Sequence, residues 1–154
     1  MFQMTHIDKP TRRTAGGFTI IEMMMVVTLV AILGSLAVST YRNYVLRANR
    51  TEARMALLAT QVAQEKYFLQ NNAYAQDIAT VVAAPPGGLG INLTAGGVTQ
   101  TGAYTISFTA ASATTYTLQA VATGTQVKDT AACLTFTINE QGQRTPADST
   151  GCWR

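Results

Sequence analysis

The residues of this 154-residue chain that could do chemistry are few. There is one histidine, His6, and there are two cysteines, Cys133 and Cys152, with no group of ligands at metal-binding spacing. Because no nucleophile is paired with a base either, we expect no catalytic residue, no metal and no cofactor. The remaining candidates are the two cysteines and Glu22, a carboxylate inside an otherwise uncharged apolar run.

Glu22 is the most unusual of these residues. The run extends from Phe18 to Val38, and as a helix it would be about 30 Å long, the thickness of the hydrocarbon core of a bilayer. An unpaired carboxylate there costs about 3 kcal/mol, so we expect a partner. Either Glu22 lies at the headgroup boundary, or cleavage after Gly17 leaves an ammonium on Phe18. In the second case Glu22 would neutralise that ammonium on its own chain or on a neighbour.

The charges around the run predict how the chain crosses the membrane. Lys9, Arg12 and Arg13 precede the run, which places the N-terminus in the cytoplasm and the bulk of the chain on the far side. In that oxidising compartment Cys133 and Cys152 should form a disulfide, contributing about 3 kcal/mol. The alternative is two free thiols.

The elements that position these residues follow from hydrophobic periodicity. Helical spacing continues beyond the run without proline or glycine, so one helix is expected from about Phe18 to Gln70, closed by Asn71-Asn72. Its second half is expected to pack through an apolar stripe and to turn the opposite, polar face to solvent. The stripe comprises Tyr44, Ala48, Met55, Leu58, Val62 and Leu69; the polar face comprises Arg47, Arg50, Arg54, Gln61 and Glu65.

Three later segments alternate between apolar and polar residues. They begin at Tyr104, Tyr116 and Leu134, and 139–142 is typical of a hairpin turn. This pattern predicts an antiparallel sheet with one covered face, and the apolar stripe of the helix is the expected cover. The fold class is therefore α+β.

The sequence Gly16-Gly17-Phe18-Thr19-Ile20-Ile21-Glu22, after a basic leader, resembles the class III signal of type IV pilins and pseudopilins. The resemblance implies that a prepilin peptidase cuts between Gly17 and Phe18 and methylates the new amine of Phe18. It also implies that Glu22 meets the Phe18 amine of a neighbouring subunit in a filament. The residues 41–74 and the ending from Cys133 to Cys152-Trp153 are similar to PilE-type minor pilins of type IVa pili.

The resemblance implies the pilin fold, a long helix on an antiparallel sheet with a C-terminal disulfide region. The implied segments are a leader (1–17), a membrane and filament-core helix (18–40), its amphipathic continuation (41–70), a loop (71–102) and the sheet with the disulfide region (103–154). Ala31 and Ser35, four residues apart, would either let neighbouring helices approach closely or simply face lipid.

The function implied by this resemblance is that of a structural minor pilin supporting pilus biogenesis, twitching motility and adhesion. The implied partners are other major and minor pilins, the prepilin peptidase, the inner-membrane assembly machinery and, before assembly, the bilayer. The chain would be a single-pass inner-membrane protein first and part of an extracellular pilus afterwards.

Two alternatives stay open. One is a pseudopilin of a type II secretion system, although the cysteine pair and the helix motif favour the pilus. The other is a pilus-displayed subunit that binds DNA for uptake. DNA is not favoured, because residues 71–154 carry three cations against four anions. The basic cluster of Arg42, Arg47, Arg50 and Arg54 is expected to face neighbouring subunits or anionic headgroups.

Overall fold

The computed structural model of the chain describes residues 17–153, apart from the side chains of Ser39 and Asp148. The predicted leader, except for Gly17, lies outside these residues. The described chain falls into two compact units that divide between Thr40 and Tyr41. The first unit is the N-terminal part of a long helix, and the second contains the rest of that helix, a loop region and a sheet.

The helix α1, Ile20–Asn71, has 52 residues and confirms the prediction of a helix from about Phe18 to Gln70. Three hydroxyl side chains in its first half make hydrogen bonds within the helix. Thr28 and Thr40 donate to the backbone carbonyls four residues earlier, and Ser35 donates to the carbonyl three residues earlier. The helix ends where expected, because Asn72 adopts a φ of 53° and donates its N–H to the carbonyl of Phe68 at 2.8 Å.

The loop region after α1 contains a short helix that was not predicted, α2, Ile78–Val82. Asp77 caps it by accepting a hydrogen bond from the N–H of Thr80 at 2.7 Å. The buried Gln64 of α1 holds this region in place, since its amide bonds both the N–H and the carbonyl of Ala75 at 2.8 Å. A buried amide with both groups paired fixes the path of the chain as it leaves the helix.

The sheet has four antiparallel strands in sequence order. They are β1 (Tyr104–Ala111), β2 (Tyr116–Ala122), β3 (Thr135–Asn139) and β4 (Arg144–Thr145). The predicted alternation is confirmed: Ile106, Ala120 and Phe136 lie opposite one another in the register and are buried, and their neighbours along each strand are less so. The turn at 139–142 joins β3 to β4, a two-residue strand that was not predicted.

The core of the second unit shows that α1 does not pack through most of the predicted apolar stripe: only Leu58 of its six residues contacts the core. Ala53 and Leu57 are fully buried among the strand residues, whereas Met55 and Val62 are exposed. The strands supply the bulky aromatic side chains, so α1 packs on them with Leu57, with the small Ala53 and with polar residues whose hydrogen bonds are satisfied. The buried positions of this helix face are Ala53, Leu57, Thr60 and Gln64.

The predicted disulfide is present between Cys133 and Cys152, whose Cα atoms are 5.4 Å apart. Both cysteines are buried, and the neighbouring Trp153 lies edge-on to Phe136 at 5.4 Å between ring centroids. The indole N–H of Trp153 donates to the carbonyl of Thr145 at 3.0 Å. The disulfide and the tryptophan together bind the C-terminal segment to the sheet.

Candidate functional site

The N-terminal end of α1 exposes the predicted cleavage and assembly residues. Phe18 is exposed, and the Oγ1 of Thr19 accepts a hydrogen bond from the N–H of Glu22 at 3.2 Å. Glu22 therefore lies in the first turn, where unpaired N–H groups favour a negative charge. Within residues 17–153 no cation pairs with Glu22, so the carboxylate is available to a group from outside this part of the chain.

The apolar segment of α1 exposes its whole circumference. From Ile20 to Val38 each large apolar side chain is about half exposed or more, and the helix is long and apolar enough to cross a membrane. Because the hydroxyls of Thr28 and Ser35 bond back to the helix, they leave few polar groups to be desolvated. A surface of this kind is stable only when lipid or other helices cover it.

The second half of α1 carries a further apolar surface, which we call the outer row: Tyr44, Met55, Val62 and Leu69. These are four of the six residues of the predicted stripe, and they are between 63% and 86% exposed. They recur at intervals of seven and eleven residues, so they lie along one side of a helix. The outer row therefore faces away from the core of its own chain, whereas Leu58 of the predicted stripe packs against it.

The opposite face of α1 is fixed by a polar network. Arg50 donates from Nε to Asp129 Oδ2 at 2.6 Å, and its Nη2 also donates to Asp129 Oδ1. The fully buried Gln126 accepts from Asn49 at 3.0 Å and donates to the carbonyl of Leu46 at 3.1 Å. The orientation of α1 about its own axis in the second unit is therefore set by these bonds as well as by Ala53 and Leu57.

Asp129 is the electrostatic centre of this network. Burial by itself would raise the pKa of its carboxyl, but hydrogen bonds from Arg50, from the N–H of Thr130 and from Gln126 outweigh burial and lower the pKa below its ordinary value. The same pair raises the pKa of Arg50, because the hydrogen bond to Asp129 exceeds the effect of desolvation. Both groups are charged at neutral pH.

The predicted polar face of α1 is only partly exposed to solvent. Arg47 and Glu65 are exposed as expected, but Arg50, Arg54 and Gln61 are half-buried within the second unit. Neither the role of Gln126 nor the pairing of Arg50 with Asp129 was predicted from the sequence. Periodicity gives no signal for such a pair, because its members are 79 residues apart.

Metal ligands are not grouped in the part of the chain that the structure describes. No three residues among His, Cys, Asp and Glu come together there. The structure brings Phe18 and Glu22 to one end of α1 and joins Cys133 to Cys152, while the two pairs belong to different units.

Two family models match the chain. Residues 12–38 match a family described as the prokaryotic N-terminal methylation motif. Residues 39–137 match a family described as "Type IV minor pilin ComP, DNA uptake sequence receptor". The boundary between the matches lies next to the division between the two structural units.

Individual relatives agree with these families over part of their length. The chain is 33% identical over 70 residues to the type IV major pilin protein PilA of Myxococcus xanthus, covering 46% of this chain and 31% of that protein. It is 34% identical over 71 residues to the type IV major pilin protein PilE1 of Neisseria gonorrhoeae, covering 46% of this chain and 43% of that one. The match thus spans less than half the length of either relative.

A solved structure of a type IV pilin from Shewanella oneidensis is similar to this chain at 24% identity with a TM-score of 0.48, over 71% of this chain and 98% of that one. The family model alone covers well over half of the present sequence. The chain is therefore a type IV pilin, a structural and non-enzymatic subunit, and it belongs to the family described as "Type IV minor pilin ComP, DNA uptake sequence receptor".

Proposed function

We propose that this chain is a minor subunit of a type IV pilus that assembles through the exposed apolar surface of α1. The observation that carries this proposal is the outer row, because a globular unit with its own core leaves four large apolar side chains of α1 uncovered. The apolar segment in the first unit and the outer row in the second unit are both apolar surfaces of α1 that neighbouring subunits could cover.

The apolar surface of α1 needs to be covered by lipid before assembly and by other pilin helices in the filament, and this gives the order of events. In this proposal the N-terminus lies in the cytoplasm before assembly, the apolar segment spans the inner membrane and the second unit lies in the periplasm; the N-terminal methylation motif supports the membrane anchoring. The prepilin peptidase then cuts between Gly17 and Phe18 and methylates the amine of Phe18. In the filament, helices of neighbouring pilins replace lipid around α1, and close approach is possible at Ala31 and Ser35.

Glu22 sets the register of this assembly. Its position in the first turn, with no cation paired to it in residues 17–153, supports a pairing with the Phe18 amine of a neighbouring subunit. An ion pair in an apolar filament core stabilises only the register in which both charges meet, since any other register leaves a buried charge. Pilus biogenesis, twitching motility and adhesion are the activities that such a subunit would support.

The test is incorporation of Glu22→Ala into filaments sheared from cells. The variant should be cleaved like the wild type but should be reduced at least tenfold in sheared filaments. Glu65→Gln is the matched control, because it removes an exposed carboxylate of the second unit and should assemble normally. Normal incorporation of Glu22→Ala would refute the pairing.

A second candidate function is DNA binding by the second unit during DNA uptake. The description of the matched family favours it, and Lys66, Lys128 and Arg144 are exposed cations of that unit. The balance of charges over 71–154 weighs against it, since affinity for DNA grows with the number of phosphate contacts.

A gel shift of the full chain in detergent, over a series of salt concentrations and with two duplex sequences, tests this function. Binding that weakens with salt and distinguishes the two sequences would support a receptor, and no shift at micromolar concentration would refute it.

A further inference from the structure

The second unit contains a polar cleft of about 320 Å³ beside the polar network of α1. One wall is α1, and the other is the segment that follows β2. Its polar lining consists of Asn43, Arg47 and Arg50 on the first wall and Lys128, Asp129 and Thr130 on the second.

The cleft is cationic because its one carboxylate is already engaged. The side chain of Asp129 is 2% exposed and accepts bonds from both Nε and Nη2 of Arg50, from the N–H of Thr130 and from Gln126. The Arg50–Asp129 pair is neutral as a unit, so the cleft keeps the two charges of Arg47 and Lys128.

Arg47 and Lys128 come from opposite walls, and both are exposed. Neither is paired with a carboxylate anywhere in residues 17–153. Arg50, which also lines the cleft and is held by Asp129, uses only two of its five N–H donors on that carboxylate. Two cations and a fixed guanidinium around one small polar space are a binding site for a single compact anion with several oxygens.

The position of the cleft along the chain indicates which anion it meets. Asn43 follows Val38, the end of the apolar segment, by five residues, and even a fully extended chain of that length spans only about 18 Å. If the apolar segment crosses the bilayer, as the proposed function requires, the cleft lies within reach of the headgroups. Phospholipid headgroups carry phosphate groups, so phosphates are the anions that the cleft would meet at that boundary.

We propose that this cleft binds the phosphate group of an anionic phospholipid headgroup while the chain is in the membrane. Arg47 and Lys128 supply the charge, and Arg50, oriented by Asp129, supplies directed N–H donors. Bound lipid would hold the second unit against the membrane surface until assembly, and extraction into a filament would require its release. DNA is a poorer occupant, because the cations converge on one cleft, whereas affinity for DNA grows with the number of phosphates that are contacted along the backbone.

The experiment is a titration of phosphatidylglycerol into the full chain in maltoside micelles, with bound lipid counted by native mass spectrometry. The double variant Arg47→Gln/Lys128→Gln should raise the dissociation constant about thirtyfold. The matched control Lys66→Gln/Arg144→Gln removes the same charge from elsewhere on the second unit and should stay within about twofold of the wild type. The charge-conserving Arg47→Lys/Lys128→Arg should retain most of the binding. All variants replace exposed side chains, and an unchanged melting temperature verifies their fold. Because Arg144 also lies over the ring of Trp153 at 5.2 Å, Lys66→Gln alone replaces the double control if the latter has a lowered melting temperature.

Several results would overturn the proposal. Equal losses in the two double variants would show that lipid responds to overall charge and not to the cleft. Displacement of the lipid by millimolar inorganic phosphate would make free phosphate the ligand, and displacement by a short DNA duplex would make the cleft part of a DNA surface. Reconstitution into bilayer nanodiscs separates the two proposals: a chain that inserts but does not select anionic lipid contradicts the cleft alone, whereas a chain that fails to insert contradicts the proposed membrane span.

Discussion

A pair of substitutions can distinguish the roles of the two faces of α1 in the second unit. Leu57 is fully buried against the sheet, whereas Val62, five residues later, is 72% exposed in the outer row. Leu57→Ala and Val62→Ala both shorten an aliphatic side chain of the same helix. We expect the first to weaken the fold and the second to weaken assembly.

The magnitudes follow from burial. Leu57→Ala removes a side chain with no exposure and leaves a cavity, so the free energy of unfolding should fall by about 3 kcal/mol. For a unit of this size that corresponds to a decrease of about 12 °C in the melting temperature. Val62→Ala should change the free energy of unfolding by no more than about 0.5 kcal/mol. If neighbouring subunits cover Val62, the lost methyl groups weaken that contact by about 1.5 kcal/mol, about tenfold in incorporation.

The assay has two readouts on the same variants. Thermal unfolding of the full chain in detergent, followed by near-ultraviolet circular dichroism, reports the packing of the second unit. Quantification of the chain in sheared filaments, relative to its amount in cell membranes, reports assembly. If Val62→Ala were destabilised as much as Leu57→Ala, the orientation of α1 would be wrong. If it assembled like the wild type, the outer row would not be an assembly surface.

Two further predictions concern the stability of the second unit. Because hydrogen bonds lower the pKa of Asp129 in the folded state, its contribution to stability is present above the ordinary aspartate pKa and is lost as the pH falls through the folded value. Melting temperatures measured from neutral pH down to strongly acidic pH should therefore fall more steeply for the wild type than for Asp129→Asn, and parallel curves would contradict this role of the carboxylate. Removal of the disulfide by Cys133→Ala/Cys152→Ala should lower the free energy of unfolding by about 3 kcal/mol in denaturant titrations. An unchanged denaturation midpoint would show that the C-terminal segment is held by Trp153 and its neighbours instead.

The sequence was sufficient to predict the elements whose signals are local. The helix was predicted to within two residues at each end, because α1 has apolar or helical spacing throughout and Asn71-Asn72 at its end. The three main strands were predicted because Tyr104, Tyr116 and Phe136 each belong to a strict alternation. The short α2 and β4 were missed, since a capped five-residue helix and a two-residue strand depend on tertiary contacts.

The direction in which α1 packs could not be predicted from periodicity. Apolar residues on a helix indicate that something covers them, but not whether the cover is the same chain or another molecule. Tyr44, Met55, Val62 and Leu69 are more apolar than the Thr60 and Gln64 that are buried, so a hydrophobicity criterion selects the wrong face. The polar network around Gln126 and Asp129 was equally invisible, because its bonds join residues about 80 positions apart.

We infer that α1 becomes a filament helix once a new N-terminus at Phe18 can meet Glu22. Intact-mass spectrometry of this subunit from sheared filaments is the test. We expect a chain that begins at Phe18, carries one methyl group on its amine and retains the Cys133–Cys152 bond. A filament-bound chain that still contains residues 1–17 would contradict it.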